Sequence, residues 1–331
     1  MKGFTKKLAA TFCAVGLLSS GSVVAQALDR ISMRLDWTPW AVHAPYHLAQ
    51  EKGWFKEAGL DVYIEDGNGS VTTVQIVGSR AQFDVGQAAL ASMVIARNKG
   101  LPVKAVAPFA VTNDIGVIVP KGEGIKSPAD LKGKRVVYTA GSLEAPFIDP
   151  FLAAGNIKRS DIDLLSVDAT SKASTYMVGR ADAVVTTVPA LYPSIMQERE
   201  SEIIPFADYG LNMLSFGIFT SEAKLEEKGE AIARFAAVVA KTWEYIYSGN
   251  QQEAVEAMIA QRPQARLSPE LLHEQLDILQ QFFVDSEQER VGLNKASDWE
   301  QTIKTLSSVG LLENDMPVDS YYVADFFEPL N

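Results

Sequence analysis

The chain has a single cysteine, Cys13, in 331 residues, and only three histidines. Cys13 lies inside the apolar N-terminal run Leu8 to Leu18 and follows Ala10-Thr11-Phe12, so it does not read as a lipoprotein cysteine. Everything after that run can form no disulfide, no thiolate metal site and no cysteine nucleophile. No later stretch approaches the roughly 18 uninterrupted apolar residues of a membrane-spanning helix. Walker and dinucleotide glycine patterns are missing, and so is the G-x-S-x-G elbow of serine hydrolases. Three histidines without a nucleophile beside them make no catalytic constellation, so neither a catalytic residue nor a cofactor is expected. Basic residues are outnumbered, 30 Lys and Arg against 41 Asp and Glu, for a formal net charge of −11. That balance argues against nucleic acid or an anionic membrane as the main partner.

The start of the chain has a different character. Lys2, Lys6 and Lys7 precede the apolar run, and Ala25-Gln26-Ala27 is a small-x-small cleavage signal. Residues 1–27 therefore read as a signal peptide, leaving an exported, unanchored chain beginning near Leu28. Loss of the three lysines takes the net charge from −11 to −14. About 300 residues of ordinary apolar content suggest two domains with cores of their own.

Short apolar runs alternate with helical patterns, which predicts an α/β fold. Strands are expected at 31–35, 60–65, 84–86, 103–109, 114–119, 135–139, 164–167, 183–186 and 215–220. Helices are expected from Pro45 to about 56–58, over 70–79 and 88–98, at Ser127-Pro128, and from Gly141-Ser142 to Ala154. After the last strand the pattern is helical, over 231–247, 271–283 and 299–309, with Trp243, Phe282 and Trp299 as core. Two stretches resemble one another: Val77-Gly78-Ser79-Arg80-Ala81-Gln82-Phe83-Asp84-Val85 and Val178-Gly179-Arg180-Ala181-Asp182-Ala183-Val184. Each ends a helix and enters a strand through an Asp, which suggests two lobes of similar architecture with a cleft between them.

In open α/β sheets ligands sit beyond the carboxyl ends of the strands. The first such turn, in LDWTPWAVHAPYHLAQEKGWFKEAGLDVYI over 35–64, holds Asp36, Trp37, Trp40, His43 and Tyr46. Aromatic faces with one carboxylate suit a flat, nitrogen-rich small molecule. His43, His47 and Glu51 recur every four residues, a spacing a metal site can use. However, Pro45 sets His43 ahead of the helix and no fourth ligand is near, so His43 is assigned a hydrogen-bonding role and no metal is expected. Gly67-Asn68-Gly69-Ser70 and Gly141-Ser142 open helices whose N–H groups can hold polar ligand atoms, against the plain alternative of turn chemistry. The remaining ligand-binding candidates are Asn68, Gln87, Phe109, Ser142, Glu144, Thr187 and Tyr209. The loops 36–46, 66–73, 86–91, 109–114, 139–147, 186–193 and 208–217 contain no Lys or Arg. This tilts the expected ligand toward a neutral or amine-bearing aromatic and away from oxyanions.

The run L-D-W-x-P-x-x-x-H-A-P from Leu35, then A-x-E-K-G-W-F-K-E-A-G-L-D-V, resembles periplasmic binding proteins of ABC importers. It is most similar to the branch that takes up pyrimidine precursors of thiamine. G-x-x-x-F-D-V-G-Q around Asp84, N-K-G-L-P-V-K-A-V at Asn98, I-K-S-P-A-D-L-K-G-K-R-V at Ile125 and D-Y-G-L-N-M-L-S-F-G at Asp208 extend the likeness over nearly all of the chain beyond the signal peptide. The resemblance implies a type II periplasmic-binding fold with a helical C-terminal section. Lobe 1 would begin with 28–110, lobe 2 would span 111–210, and 211–331 would return to lobe 1. Crossovers are expected near Phe109–Asn113 and Phe206–Asn212. A periplasmic location, a small-molecule ligand, a permease partner in the inner membrane and a monomeric state are also implied. Related branches are similar to nitrate, sulfonate, aromatic-acid and flavin binders. The family's iron-dependent pyrimidine-synthesis enzymes carry a cysteine-rich motif that this chain lacks. Where the pyrimidine branch commonly has asparagine, this chain has Trp40-Ala41-Val42, a more apolar turn.

Overall fold

The structure, a computed structural model, describes residues 27–79, 82–283 and 290–328, with Met1 and Leu330. The signal peptide expected over 1–27 lies, but for its end residues, outside them. Ten strands form two sheets. The first holds β1 (Asp29–Arg34), β2 (Leu60–Glu65), β3 (Val85–Ala89) and β4 (Val103–Pro108). The chain then crosses to β5 (Ile115–Pro120), β6 (Arg135–Tyr138), β7 (Asp163–Ser166), β8 (Ala183–Thr187) and β9 (Ser201–Pro205). It returns through β10 (Phe216–Ser221) to the first sheet. The strand orders are β2-β1-β3-β10-β4 and β7-β6-β8-β5-β9.

The two orders describe one plan used twice. β1 pairs in parallel with β2 and β3, and β6 does the same with β7 and β8. In each sheet the fourth strand is reversed and comes from the other side of a crossover: β10 runs antiparallel to β3 and β4, and β5 antiparallel to β8 and β9. β3, β5, β8 and β10 are buried at every residue. Gln87 of β3 apart, they accordingly read as apolar or small-residue runs, since both faces of such strands are covered.

The paired Asp motifs have a common structural use. The Asp84 N–H donates to the Ser32 carbonyl at 2.8 Å, and its carboxylate accepts from the Ser32 N–H at 2.8 Å. The Asp182 N–H donates to the Arg135 carbonyl at 2.8 Å, and its carboxylate accepts from the Arg135 N–H at 2.9 Å. Each aspartate thus ties the entry of β3 or β8 to the neighbouring β1 or β6, at the end of the sheet away from the first turn. Arg80 and Ala81 of the first motif lie outside the described residues.

Some boundaries differ from expectation. The first helix breaks into Ala44–Glu51 and Trp54–Glu57 because Gly53 takes a left-handed conformation, φ 77°. β3 extends to Ala89, so the next helix starts at Leu90. β9 went unread, its polar start Ser201-Glu202 giving no alternation. In the C-terminal section the helices Glu222–Tyr245 and Pro269–Gln280 begin with Ser221 and Ser268 side chains accepting from the N–H groups of Lys224 and Leu271. Gln251–Gln261 and Ala296–Ser308 complete the section. Trp243 and Trp299 are fully buried. Phe283 fills the core beside Trp243, while Phe282 is only partly buried against it.

Candidate functional site

The turn after β1 builds one wall. Gly69 N–H donates to the Asp36 carbonyl at 2.6 Å and Gly67 N–H to the Trp37 carbonyl at 3.2 Å, which pins the 36–40 turn to the loop before the helix Ser70–Ser79. Residue 67 must be glycine, because a Cβ there would lie 2.0 Å from the Leu35 carbonyl oxygen. The Asp36 carboxylate is buried and accepts two hydrogen bonds on Oδ1, from His43 Nε2 at 2.9 Å and Gln87 Nε2 at 3.1 Å. With its proton on Nε2, His43 receives the Trp40 N–H on Nδ1 at 3.4 Å, so both contacts fit one neutral tautomer. Asp36 Oδ2 takes no hydrogen bond from the described residues and so remains a free acceptor.

The second wall comes from the loops after β6, β7 and β8. Ser142 Oγ donates to the Thr139 carbonyl at 2.6 Å. Glu144 pairs with Lys172, Oε1 to Nζ 2.7 Å, and both side chains are buried. The Lys172 ammonium also lies over the Trp37 ring, 5.0 Å from its centroid. Thr187 donates its hydroxyl to Asp114, which also accepts from Ser215 Oγ at 2.6 Å. Burial pushes the Asp114 carboxyl up to about 6, with the two hydroxyls pulling against it.

Between these walls lies a cavity of about 10 Å³, bounded by Asp36, Trp37, Trp40, Ser142, Glu144 and Lys172 among others. That is room for one water. A larger, open cavity of about 450 Å³ is lined by Thr38, Asn68 and Thr139 among others, and another of about 250 Å³ lies behind Trp37 and Trp40 beside Leu271 and Gln275. The lobes touch directly. Val71 and Thr72 N–H groups of the helix Ser70–Ser79 donate to the Gly141 carbonyl at 3.1 and 3.4 Å. The Gln275 amide bridges the lobes too, accepting from Ala41 N–H at 3.0 Å and donating to the Ala190 carbonyl at 2.7 Å. While these contacts hold, the cavity between the walls is too small for a ring-sized molecule.

Asp36, Trp37, Trp40, Ser142, Glu144 and Thr187 meet at this cavity. His43 and Gln87 stand behind Asp36 and hold it. Asn68 is exposed and lines the larger neighbouring cavity instead. Three aromatic candidates are elsewhere. Tyr46 is buried and stacks on Phe235 with 6.3 Å between centroids. Phe109 packs on Trp243 and Phe283 at 5.7 and 5.8 Å. Tyr209 stands edge-on to Phe151 at 5.3 Å. Each serves a packing contact because an aromatic ring fills core space as readily as it faces a ligand. Of the two indoles, Trp40 is the more buried, edge-on to Phe216 at 5.6 Å, and its Nε1 has no partner. His47 faces away from Asp36, hydrogen-bonded through Nδ1 to Gln261 at 3.0 Å, and burial pulls its pKa down to about 4. Among the described residues no group of three His, Cys, Asp or Glu side chains could hold a metal ion, and no helix is long and apolar enough to cross a membrane.

Lys172 corrects the sequence reading. The cleft is not free of basic residues: the loop after β7 belongs to the same set of carboxyl-end loops, and it carries this lysine. Extending the strand-end rule to residues 167–172 would have found it.

A family model described as NMT1/THI5 like matches residues 40–254. The formylaminopyrimidine-binding protein of Halalkalibacterium halodurans is 29% identical over 303 residues, covering 90% of each chain. A 4-amino-5-hydroxymethyl-2-methylpyrimidine phosphate synthase of Saccharomyces cerevisiae is 37% identical over 111 residues, 33% of this chain and 32% of the enzyme. Among solved structures, the alkanesulfonate-binding protein of Xanthomonas axonopodis pv. citri, bound to MOPS, has a TM-score of 0.65 at 14% identity, covering 92% of this chain and 99% of that one.

Proposed function

The chain belongs to the NMT1/THI5-like family, and from that premise we propose that it is the exported solute-binding component of an ABC importer, taking up a thiamine-pyrimidine precursor. It has the two-lobed type II periplasmic-binding fold. The observation that carries the reading is the cavity between the lobes, where two indoles and two buried carboxylates converge. A flat ring with amino groups matches such walls: Trp37 and Trp40 supply faces, and Asp36 Oδ2 accepts from a ring amine. Likeness over nine tenths of both chains to a protein named for formylaminopyrimidine binding supports the same ligand class. Similarity to the synthases covers one third of the chain, and the chain beyond Cys13 has no cysteine with which to repeat the cysteine-rich motif of such enzymes. Binding without turnover is therefore the activity proposed, with delivery to an inner-membrane permease.

Lys172 favours a second reading, an aromatic carboxylate or sulfonate whose anionic group would meet its ammonium. Against it, Glu144 already neutralises that charge. A thermal-shift series decides. The hydroxymethylpyrimidine and formylaminopyrimidine should raise the melting temperature with concentration, since a ligand binding only the folded state stabilises it by mass action. A shift with taurine or benzoate alone would reject the pyrimidine reading.

A further inference from the structure

The Glu144–Lys172 pair is not explained by the fold. Both side chains are almost wholly buried, 1% and 3% exposed. Exchanging a buried ion pair for apolar residues of similar shape is often neutral or stabilising, so stability alone does not call for two charges here. Nor do they brace a long element. Glu144 precedes the short turn Ala145–Phe147, and Lys172 opens the six-residue helix Lys172–Met177. Both side chains line the same cavity as Asp36 and Trp37.

Their hydrogen-bonding capacity is only partly used. The ammonium has three N–H groups, of which one is taken by Glu144 Oε1 while the Trp37 face lies under the charge. Glu144 Oε2 takes no hydrogen bond from the described residues. The pair thus leaves an N–H donor beside a carboxylate acceptor in a cavity wall, and together they carry no net charge.

We propose that Lys172 and Glu144 act as one neutral donor–acceptor couple that reads the edge of the ligand's ring. Lys172 Nζ–H donates to a ring nitrogen or carbonyl oxygen, and Glu144 Oε2 accepts from the adjacent exocyclic amine or ring N–H. The matching ligand class is a neutral heteroaromatic amine or lactam with an acceptor next to a donor, and a 4-aminopyrimidine edge has that pattern. Trp37 fixes the plane in which the edge is read. A free carboxylate or sulfonate would offer two acceptors, one of which would face Glu144. This specificity role rests on the proposed function and goes beyond it by assigning the polar edge to the second lobe.

The test is calorimetric titration of the purified protein with 4-amino-5-hydroxymethyl-2-methylpyrimidine, its analogue lacking the 4-amino group, and taurine. Lys172→Met alone leaves a buried unpaired carboxylate and can fail to fold, so the informative variant is Lys172→Met with Glu144→Gln, checked by its melting curve. The wild type should prefer the amino compound by about tenfold to hundredfold, the worth of hydrogen bonds to charged groups. In the double variant both pyrimidines should weaken, the amino compound the more, so that the preference shrinks severalfold to the part that Asp36 supplies. A preference retained in full in the double variant overturns the couple and leaves the proposed function standing. A wild type that binds neither pyrimidine overturns both. Binding of taurine that disappears in the double variant also overturns the couple and makes Lys172 an anion hook.

Discussion

The cleft has two carboxylates of opposite design. Asp36, on the first lobe, is buried and held by neutral partners, a histidine and a glutamine. Glu144, on the second lobe, is buried and held by a lysine. The first wall therefore sets its carboxyl among uncharged hydrogen-bond donors, while the second sets its carboxyl against an amine. On the proposed reading, one lobe attracts an amine and the other sorts what accompanies it. The partners also differ in distance along the chain: His43 is seven residues from Asp36, within the same turn, whereas Lys172 is 28 residues from Glu144.

The strongest break of this comparison is Asp36→Asn. It keeps the shape, removes the charge, and turns the free Oδ2 into an N–H donor, while Oδ1 can still accept from His43 and Gln87. Affinity for the hydroxymethylpyrimidine should fall by about a hundredfold or more, roughly 2.8 kcal/mol at about 1.4 kcal/mol per tenfold. The melting temperature should change little, because the two buried donors keep the amide oxygen as their acceptor. Unchanged affinity by calorimetry would remove Asp36 from the ligand contact.

The next break acts where the walls meet. A Cβ on Gly69 would stand 2.2 Å from the Gly141 carbonyl oxygen, backbone against backbone across the cleft. Gly69→Ala should hold the lobes apart, cut affinity by about tenfold to hundredfold, and abolish ligand-induced compaction in small-angle scattering. Gly53→Ala is the control. Its φ of 77° imposes left-handed strain, but nothing lies within 4 Å of the added carbon. It should cost about 1–2 kcal/mol of stability with affinity intact. Equal affinity losses in the two variants would mean that strain, and not lobe contact, is being measured.

What the sequence disclosed follows from how local each signal is. The strands were legible because buried strands carry runs such as Ile115–Pro120, and the repeated Asp turns because one backbone hook is used twice. Asp36 and His43 were legible as neighbours on one turn. Lys172 was not, since its partner is fixed by the approach of two loops. Tyr46, Phe109 and Tyr209 are aromatic residues near strand-end turns, and neither property separates a core ring from a ligand wall. Gln275 left no trace at all, as its partners Ala41 and Ala190 are backbone groups 234 and 85 residues away.

That glutamine gives a smaller test of lobe contact. Gln275→Leu keeps the volume and leaves the Ala41 N–H and the Ala190 carbonyl without partners when the lobes meet. About 1–3 kcal/mol for such buried groups is the upper range, and parting of the lobes lets water relieve part of it. Affinity should fall by about threefold to tenfold, mainly through a faster dissociation rate in stopped-flow fluorescence. An unchanged rate would show that the bridge does not resist opening.

The smallest effect expected in the wild type is its dependence on pH, because two buried groups oppose one another. Asp114 has its pKa raised to about 6 by burial, so the folded state holds its proton more tightly than the unfolded chain does. Its contribution to stability is present at low pH and is lost as pH rises from about 4 through 6. His47 is lowered to about 4 by burial, so its contribution is present above about 6.5 and is lost as pH falls through 4. Between pH 4 and 6 the slopes have opposite sign and similar size, about 3 kcal/mol each at most, and the wild-type melting temperature should stay nearly flat. Asp114→Asn removes one side of the balance. Its melting temperature should then fall as pH drops from 6 to 4, and His47→Gln should show the reverse, a rise on acidification. If both variants stay flat in scanning calorimetry across that window, neither group titrates against its burial, and the Asp114 contact between Thr187 and Ser215 holds the crossover without regard to charge.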